Sequence, residues 1–126
     1  MTAQLAPNRV GQIAINVRDL ARAVAFYRDA LGLPLLFEVP PKMAFFSCGP
    51  VRLMLSLPET PAYDHPGSIL YYMVEDIAAS HAAMVERGVA FETPPHLIAR
   101  MPDHELWMAF FKDPEGNTGA LMSEKR

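Results

Sequence analysis

The segment HLIARMPDHELW, His96 to Trp107, gathers more potential chemistry than any other stretch of the chain. It holds two of the four histidines, with Arg100, Asp103 and Glu105 around them. Two imidazoles and a carboxylate are donors suited to a divalent transition metal, so His96, His104 and Glu105 form one candidate metal set. Without a metal, His104 and Glu105 are the candidate catalytic pair for acid–base work, because imidazole titrates near neutrality and burial raises a carboxyl. Arg100 offers a planar fork for a carboxylate or phosphate on a ligand. The competing reading is a solvated connection, since Pro102 interrupts any regular strand between the histidines. Cys48 lies in the apolar run MAFFSC and reads as a buried, inert thiol. His65 falls in a Pro-rich connector and reads as solvated, and His81 reads as a core-edge histidine.

These groups must be positioned by a chain that says the same thing twice. INVRDLARAVAFYRDALGLPLLFE, from Ile15, resembles YMVEDIAASHAAMVERGVAFE, from Tyr72. At a shift of 57 residues Val17 meets Val74, Asp19 meets Asp76 and Leu20 meets Ile77. Each copy reads as strand, Asp cap, helix, Gly stop and further strands. QIAINV alternates, with Ile13, Ile15 and Val17 on one face and Gln12, Ala14 and Asn16 on the other. Asp19 and Asp76 can accept hydrogen bonds from the free amides that open a helix. Leu20, Val24, Tyr27 and Leu31 form an apolar stripe, as do Ile77, His81 and Met84. Gly32 and Gly88 can take the left-handed conformation that ends each helix. LLFEV, MAFFSC and VRLMLSL then follow as strands in the first copy, and VAFE, LWMAFF and GALM in the second. DPEG, 113–116, is turn chemistry joining the last two. LPETPAYDHPGS between the copies is a connector whose prolines disfavour regular structure.

Composition narrows the function classes. The 126 residues are 51% hydrophobic and 20% charged, which suits one globular domain. A net charge of -3 without a Lys/Arg cluster argues against nucleic acid. No apolar run approaches a membrane span, the opening residues lack a signal-like core, and the single cysteine suits a reducing compartment. A cytoplasmic protein without membrane partners is the expectation.

The chain resembles the vicinal oxygen chelate superfamily of glyoxalase, bleomycin-resistance and dioxygenase-like proteins. INVRDLARAVAFYRDALGL, YMVEDIAASHAAMVERGV and FFKDPEGNTGALMSE carry the resemblance. It implies an α+β fold in which two βαβββ repeats form paired mixed sheets around a cleft, with helices on the outside. One domain would span 1–126, with repeat 1 at about 9–57, the connector at 58–67 and repeat 2 at about 68–123. A homodimer partner completing or flanking the cleft is also implied.

Metal-dependent members hold one divalent ion at the cleft floor. The resemblance maps its ligands onto Gln12, Ile69 and Ala120, and onto Leu53, with Leu55 as the alternative register. Three of those four positions are hydrocarbon, so neither a metal nor another cofactor is expected there. If Gln12 and Ile69 face the cleft, alternation adds Asn16, Tyr71 and Met73, and Ala120 brings Met122. The resemblance turns Met108 and Phe110 inward, leaving Trp107, Ala109 and Phe111 towards the helices. With Arg100 these form the expected ligand-binding set. The leading expectation is a protein binding a small, largely apolar or aromatic molecule. The alternatives are a lyase or isomerase, metal-free or with an ion on His96, His104 and Glu105, and a non-catalytic structural or regulatory dimer.

Overall fold

The computed structural model describes Pro7, 9–64 and 66–126; His65 lies outside the described residues. The chain runs β1 (Gln12–Asn16), α1 (Leu20–Ala25), β2 (Leu35–Val39), β3 (Met43–Cys48) and β4 (Val51–Ser56). It continues through β5 (Leu70–Met73), α2 (Ile77–Glu86), β6 (Ala90–Phe91), β7 (His96–Arg100), β8 (Glu105–Lys112) and β9 (Thr118–Lys125). α1 runs on into a wider, π-helical stretch, Phe26–Ala30. None of these helices is long and apolar enough to cross a membrane.

Local chemistry explains the element boundaries. Asp19 accepts the Arg22 N–H at 3.1 Å and Asp76 accepts the Ala79 N–H at 3.0 Å, so both helices are capped as their sequences predict. Gly32 and Gly88 follow the helices at φ of 86° and 93°, where a Cβ would be strained. The connector is more ordered than its prolines suggest. It forms a short 3₁₀ turn, Pro61–Tyr63, where Pro61 opens the turn with its fixed φ.

Two mixed sheets result, in the order β1-β4-β3-β2 and β5-β9-β8-β6, with β7 also paired to β8. In each sheet the strand before the helix lies parallel to the last strand, and the remaining pairs are antiparallel. This is the α+β class expected from the sequence. The segment from His96 is a proper strand as far as Arg100, and Pro102 sits in the turn to β8, where Met101 N–H donates to His104 O at 2.7 Å. Pro94 and Pro95, which lack N–H groups, separate β6 from β7. There Thr93 Oγ1 takes the Phe110 N–H at 3.0 Å.

The helix-bearing faces of the two sheets share one core. Val17, Val24, Phe46, Leu53 and Leu55 from the first half cluster with Ile77, Ala109, Phe111 and Leu121 from the second. Phe26 reaches Phe111 at 6.2 Å between ring centroids, and Tyr72 stacks on Phe111 at 6.3 Å. Gly119 has to be small because a Cβ there would sit 2.7 Å from the Phe111 ring.

A polar clamp fixes the halves to each other. The Tyr27 hydroxyl donates to Asp113 Oδ2 at 2.7 Å, across 86 residues of sequence. Asp113 also accepts from the Glu115 and Asn117 amides, each at 2.8 Å, and from Asn117 Nδ2 at 2.9 Å. Glu115 reaches over the opening of α1, accepting from Arg18 N, Asp19 N and Arg22 Nη2 at 2.7, 3.1 and 2.9 Å. Burial alone would raise the Glu115 pKa, but those donors outweigh it and hold the carboxyl below its ordinary value. The Tyr27 hydroxyl is pushed the other way, mainly by burial and further by Tyr72 and Asp113, so it stays a protonated donor.

Candidate ligand-binding faces

Side chains alternate along a strand, so each sheet has one face packed on the core and one turned from it. On the outward face of the first sheet, register lines up three rows across β1, β4 and β3. These are Gln12–Arg52–Ser47, Ala14–Met54–Phe45 and Asn16–Ser56–Met43. On the outward face of the second sheet the rows are Tyr71–Ala120–Phe110 and Met73–Met122–Met108–His96. Ile69 stands just before β5 on the Tyr71 side. Tyr71 meets Phe110 edge-on at 6.1 Å, and Phe110 lies 6.3 Å from the His96 ring. Ile69, Tyr71 and Met73 remain 44%, 45% and 58% exposed. Trp107, Ala109 and Phe111 turn towards the core, as the family resemblance implied.

The structure therefore gathers Tyr71, Met73, Met108, Phe110, Ala120 and Met122 on one face, and Gln12 and Asn16 on another. Arg100 and Glu105 join neither group. Both lie on the Trp107 side of their hairpin, where Arg100 Nη1 contacts Glu105 Oε2 at 3.2 Å and Trp107 Nε1 donates to Glu105 Oε1 at 3.2 Å. His104 points elsewhere. Its Nδ1 is 2.7 Å from Asp103 Oδ1, and its Nε2 is 3.9 Å from Glu124 Oε2. His96 is held by Pro94 O at 2.8 Å, opposite Met108. The set His96, His104 and Glu105 is thus dispersed, because consecutive residues at a strand start diverge and the two histidines sit at different levels of the hairpin. Among the described residues, no three His, Cys, Asp or Glu side chains are grouped to hold a metal. Cys48 is half-buried, and burial pushes its thiol pKa up, away from thiolate chemistry. His81 packs edge-on against Phe91 at 4.4 Å.

The expected fourth metal position also changes. Leu53 and Leu55 are 2% and 0% exposed and belong to the core. The offset measured from Gly116 does not transfer to Gly49, because the turns differ. Pairing of Cys48 with Val51 leaves a two-residue turn, whereas Lys112 with Thr118 leaves five, so the same count lands on opposite faces. The β4 side chain that shares a face with Gln12 is Met54, whose Sδ lies 3.8 Å from Gln12 Nε2.

Gln12, Met54, Ile69 and Ala120 offer one amide, one thioether and two hydrocarbons. A divalent ion of the zinc, nickel or iron type needs three or more good donors, and these residues do not fit one. The Gln12 oxygen is moreover already occupied: Arg52 Nε donates to it at 2.7 Å. Sequence reasoning missed Arg52. The signal was present in VRLMLSL, where Arg52, Met54 and Ser56 alternate with leucines that go to the core.

Two depressions mark the outward face of the first sheet. One, of about 400 Å³, lies beside Ala14, Asn16, Met43 and Met54 and is closed at one end by Pro58 and Tyr63. Asn16 Nδ2 donates to Tyr63 O and Arg18 pairs with Asp64 at 2.6 Å, which hold the connector in place. The other, of about 510 Å³, lies beside Gln12, Ser47, Arg52 and Arg9. A third hollow of about 330 Å³ opens at the seam of the halves, among Ile13, Leu33, Cys48, Leu70 and Met84.

Comparison with known proteins agrees with this architecture. Residues 9–121 match the model of the glyoxalase/bleomycin resistance protein/dioxygenase superfamily, and the chain belongs to that family. The Bacillus subtilis (strain 168) protein YraH, itself uncharacterized, is 30% identical over 122 residues, covering 84% of this chain and 91% of YraH. A solved member of the superfamily from Sphaerobacter thermophilus superposes with a TM-score of 0.76 at 26% identity, covering 94% of this chain and 98% of that one. TnmS3, an antibiotic binding protein from Streptomyces sp. CB03234, superposes with a TM-score of 0.76 at 27% identity, covering 97% and 100%.

Proposed function

We propose that this protein binds a small, largely apolar or aromatic molecule on the outward faces of its sheets, without a metal ion. The observation that carries this reading is the exposed row Ile69, Tyr71 and Met73 beside Phe110 and Met122. Large apolar side chains left open together, next to a few polar tips, are the usual lining of a small-ligand site. Each sheet supplies half a cleft, so two copies are expected to pair, the first sheet of one facing the second sheet of the other. The antibiotic-binding relative TnmS3 supports a binding role on this fold. A lyase or isomerase is the second reading, and His104 is what favours it. That imidazole is 15% exposed between two carboxylates and could relay a proton at the edge of the Met122 face.

Calorimetric titration with neutral 2-naphthamide tests the binding reading. Wild-type protein should bind it, and Met73→Trp should abolish binding while leaving the thermal transition in place. Unchanged affinity in Met73→Trp would remove the face from consideration. In the same samples, sedimentation at micromolar concentration should give a dimer.

A further inference from the structure

Resting on that binding reading, we propose that the ligand carries an anionic group, a carboxylate or its equivalent, and that Arg52 receives it in the place where metal-dependent relatives hold their cation. The guanidinium is positioned, not loose. Its Nε is tied to Gln12 Oε1 at 2.7 Å and its Cζ lies 5.2 Å from the centre of the Phe45 ring. Phe45 is in turn stacked on Phe37 at 4.5 Å. Arg18, Arg22, Arg28, Arg100 and Arg126 are all paired with carboxylates. Arg52 has no carboxylate partner among the described residues, and its two terminal nitrogens stay available for a planar acceptor.

The surroundings fit the same chemistry. The depression beside Arg52 has a second guanidinium, Arg9, at its rim, and among the described residues no acidic side chain lines it. Positive charge is thus concentrated at one point of a chain whose net charge is -3. Beyond Arg52 the face turns apolar within one row, at Ala14, Met54 and Phe45. A molecule with an aromatic body over that row and a carboxylate at the Gln12 end satisfies both parts. A neutral molecule would offer the fork at most an uncharged, weaker acceptor, and a cation would meet a fixed like charge.

The test compares 2-naphthoate with the isosteric, neutral 2-naphthamide on wild type, Arg52→Gln and Arg52→Lys. Wild type should prefer the carboxylate by about tenfold or more, the scale of a charge-assisted hydrogen bond. Arg52→Gln should erase that preference, bringing the naphthoate-to-naphthamide affinity ratio close to one, and Arg52→Lys should restore part of it. Equal affinity for the two probes in wild type, or a preference that survives Arg52→Gln, overturns the assignment of Arg52 and leaves the apolar binding face intact. Failure of both probes to bind removes the anion site and the binding reading together.

Discussion

The DPEGN turn against α1 and the outward face around Gln12 use their polar groups in opposite ways. In the first, the Asp113 carboxylate, the Tyr27 hydroxyl and the Glu115 carboxylate point at one another's neighbourhoods and are spent within the protein. In the second, Ile69, Ala120 and Met54 offer little to hydrogen-bond, while Arg52, tied to Gln12 through Nε, has no carboxylate partner among the described residues. Polar groups that hold the halves together need partners inside the chain, while those that meet a ligand must be left with capacity to spare.

That contrast predicts different costs for mutation. Asp113→Ala should be the most damaging change, because Asp113 is 5% exposed and its loss strands the Tyr27 hydroxyl and three N–H donors. A loss of about 3 kcal/mol or more, lowering the thermal midpoint by on the order of 10 °C, is expected in calorimetry. A midpoint within a degree or two of wild type would mean the turn is decoration. Glu115→Gln should cost less, roughly 1–2 kcal/mol at neutral pH, by weakening the charged contacts to Arg22 and the opening of α1.

Glu115 also sets a pH dependence. Its carboxyl is held below the ordinary value in the folded chain, so the stability it adds is present above the unfolded Glu pKa of about 4.3. That contribution is lost as pH falls from there through the folded value. Wild type should accordingly lose stability faster than Glu115→Gln on acidification, and parallel acid limbs would remove Glu115 from the account. At the small end, Gln12→Ala and Met54→Ala on the outward face should each change unfolding free energy by no more than about 0.5 kcal/mol. A large loss there would erase the distinction between the two regions.

The sequence made the clamp's parts legible but not their meeting. Asp19, Asp76, Gly32 and Gly88 act within a turn of the chain, so cap and stop signals located both helices. Alternation separates Trp107, Ala109 and Phe111 from Met108 and Phe110, since a pleat needs no tertiary information, but which set faces the core came from the family resemblance. The Tyr27–Asp113 bond joins distant segments, and nothing in either segment names its partner. Site reading failed where it relied on counting from a glycine across unlike turns, which put Leu53 on the face in place of Met54 and passed over Arg52. It failed again where clustering in sequence stood for clustering in space: Arg100 and Glu105 turn with Trp107, away from the side of the hairpin that carries His96 and Met108.

We predict that the face around Gln12 does not grip a divalent cation. This is tested most directly by elemental analysis of protein purified without a metal-affinity step and dialysed, followed by titration with zinc and nickel on wild type and Gln12→Ala. Trace metal after dialysis and no tight site that depends on Gln12 are the expected results. Stoichiometric metal that survives dialysis in wild type and is lost in Gln12→Ala would contradict the prediction.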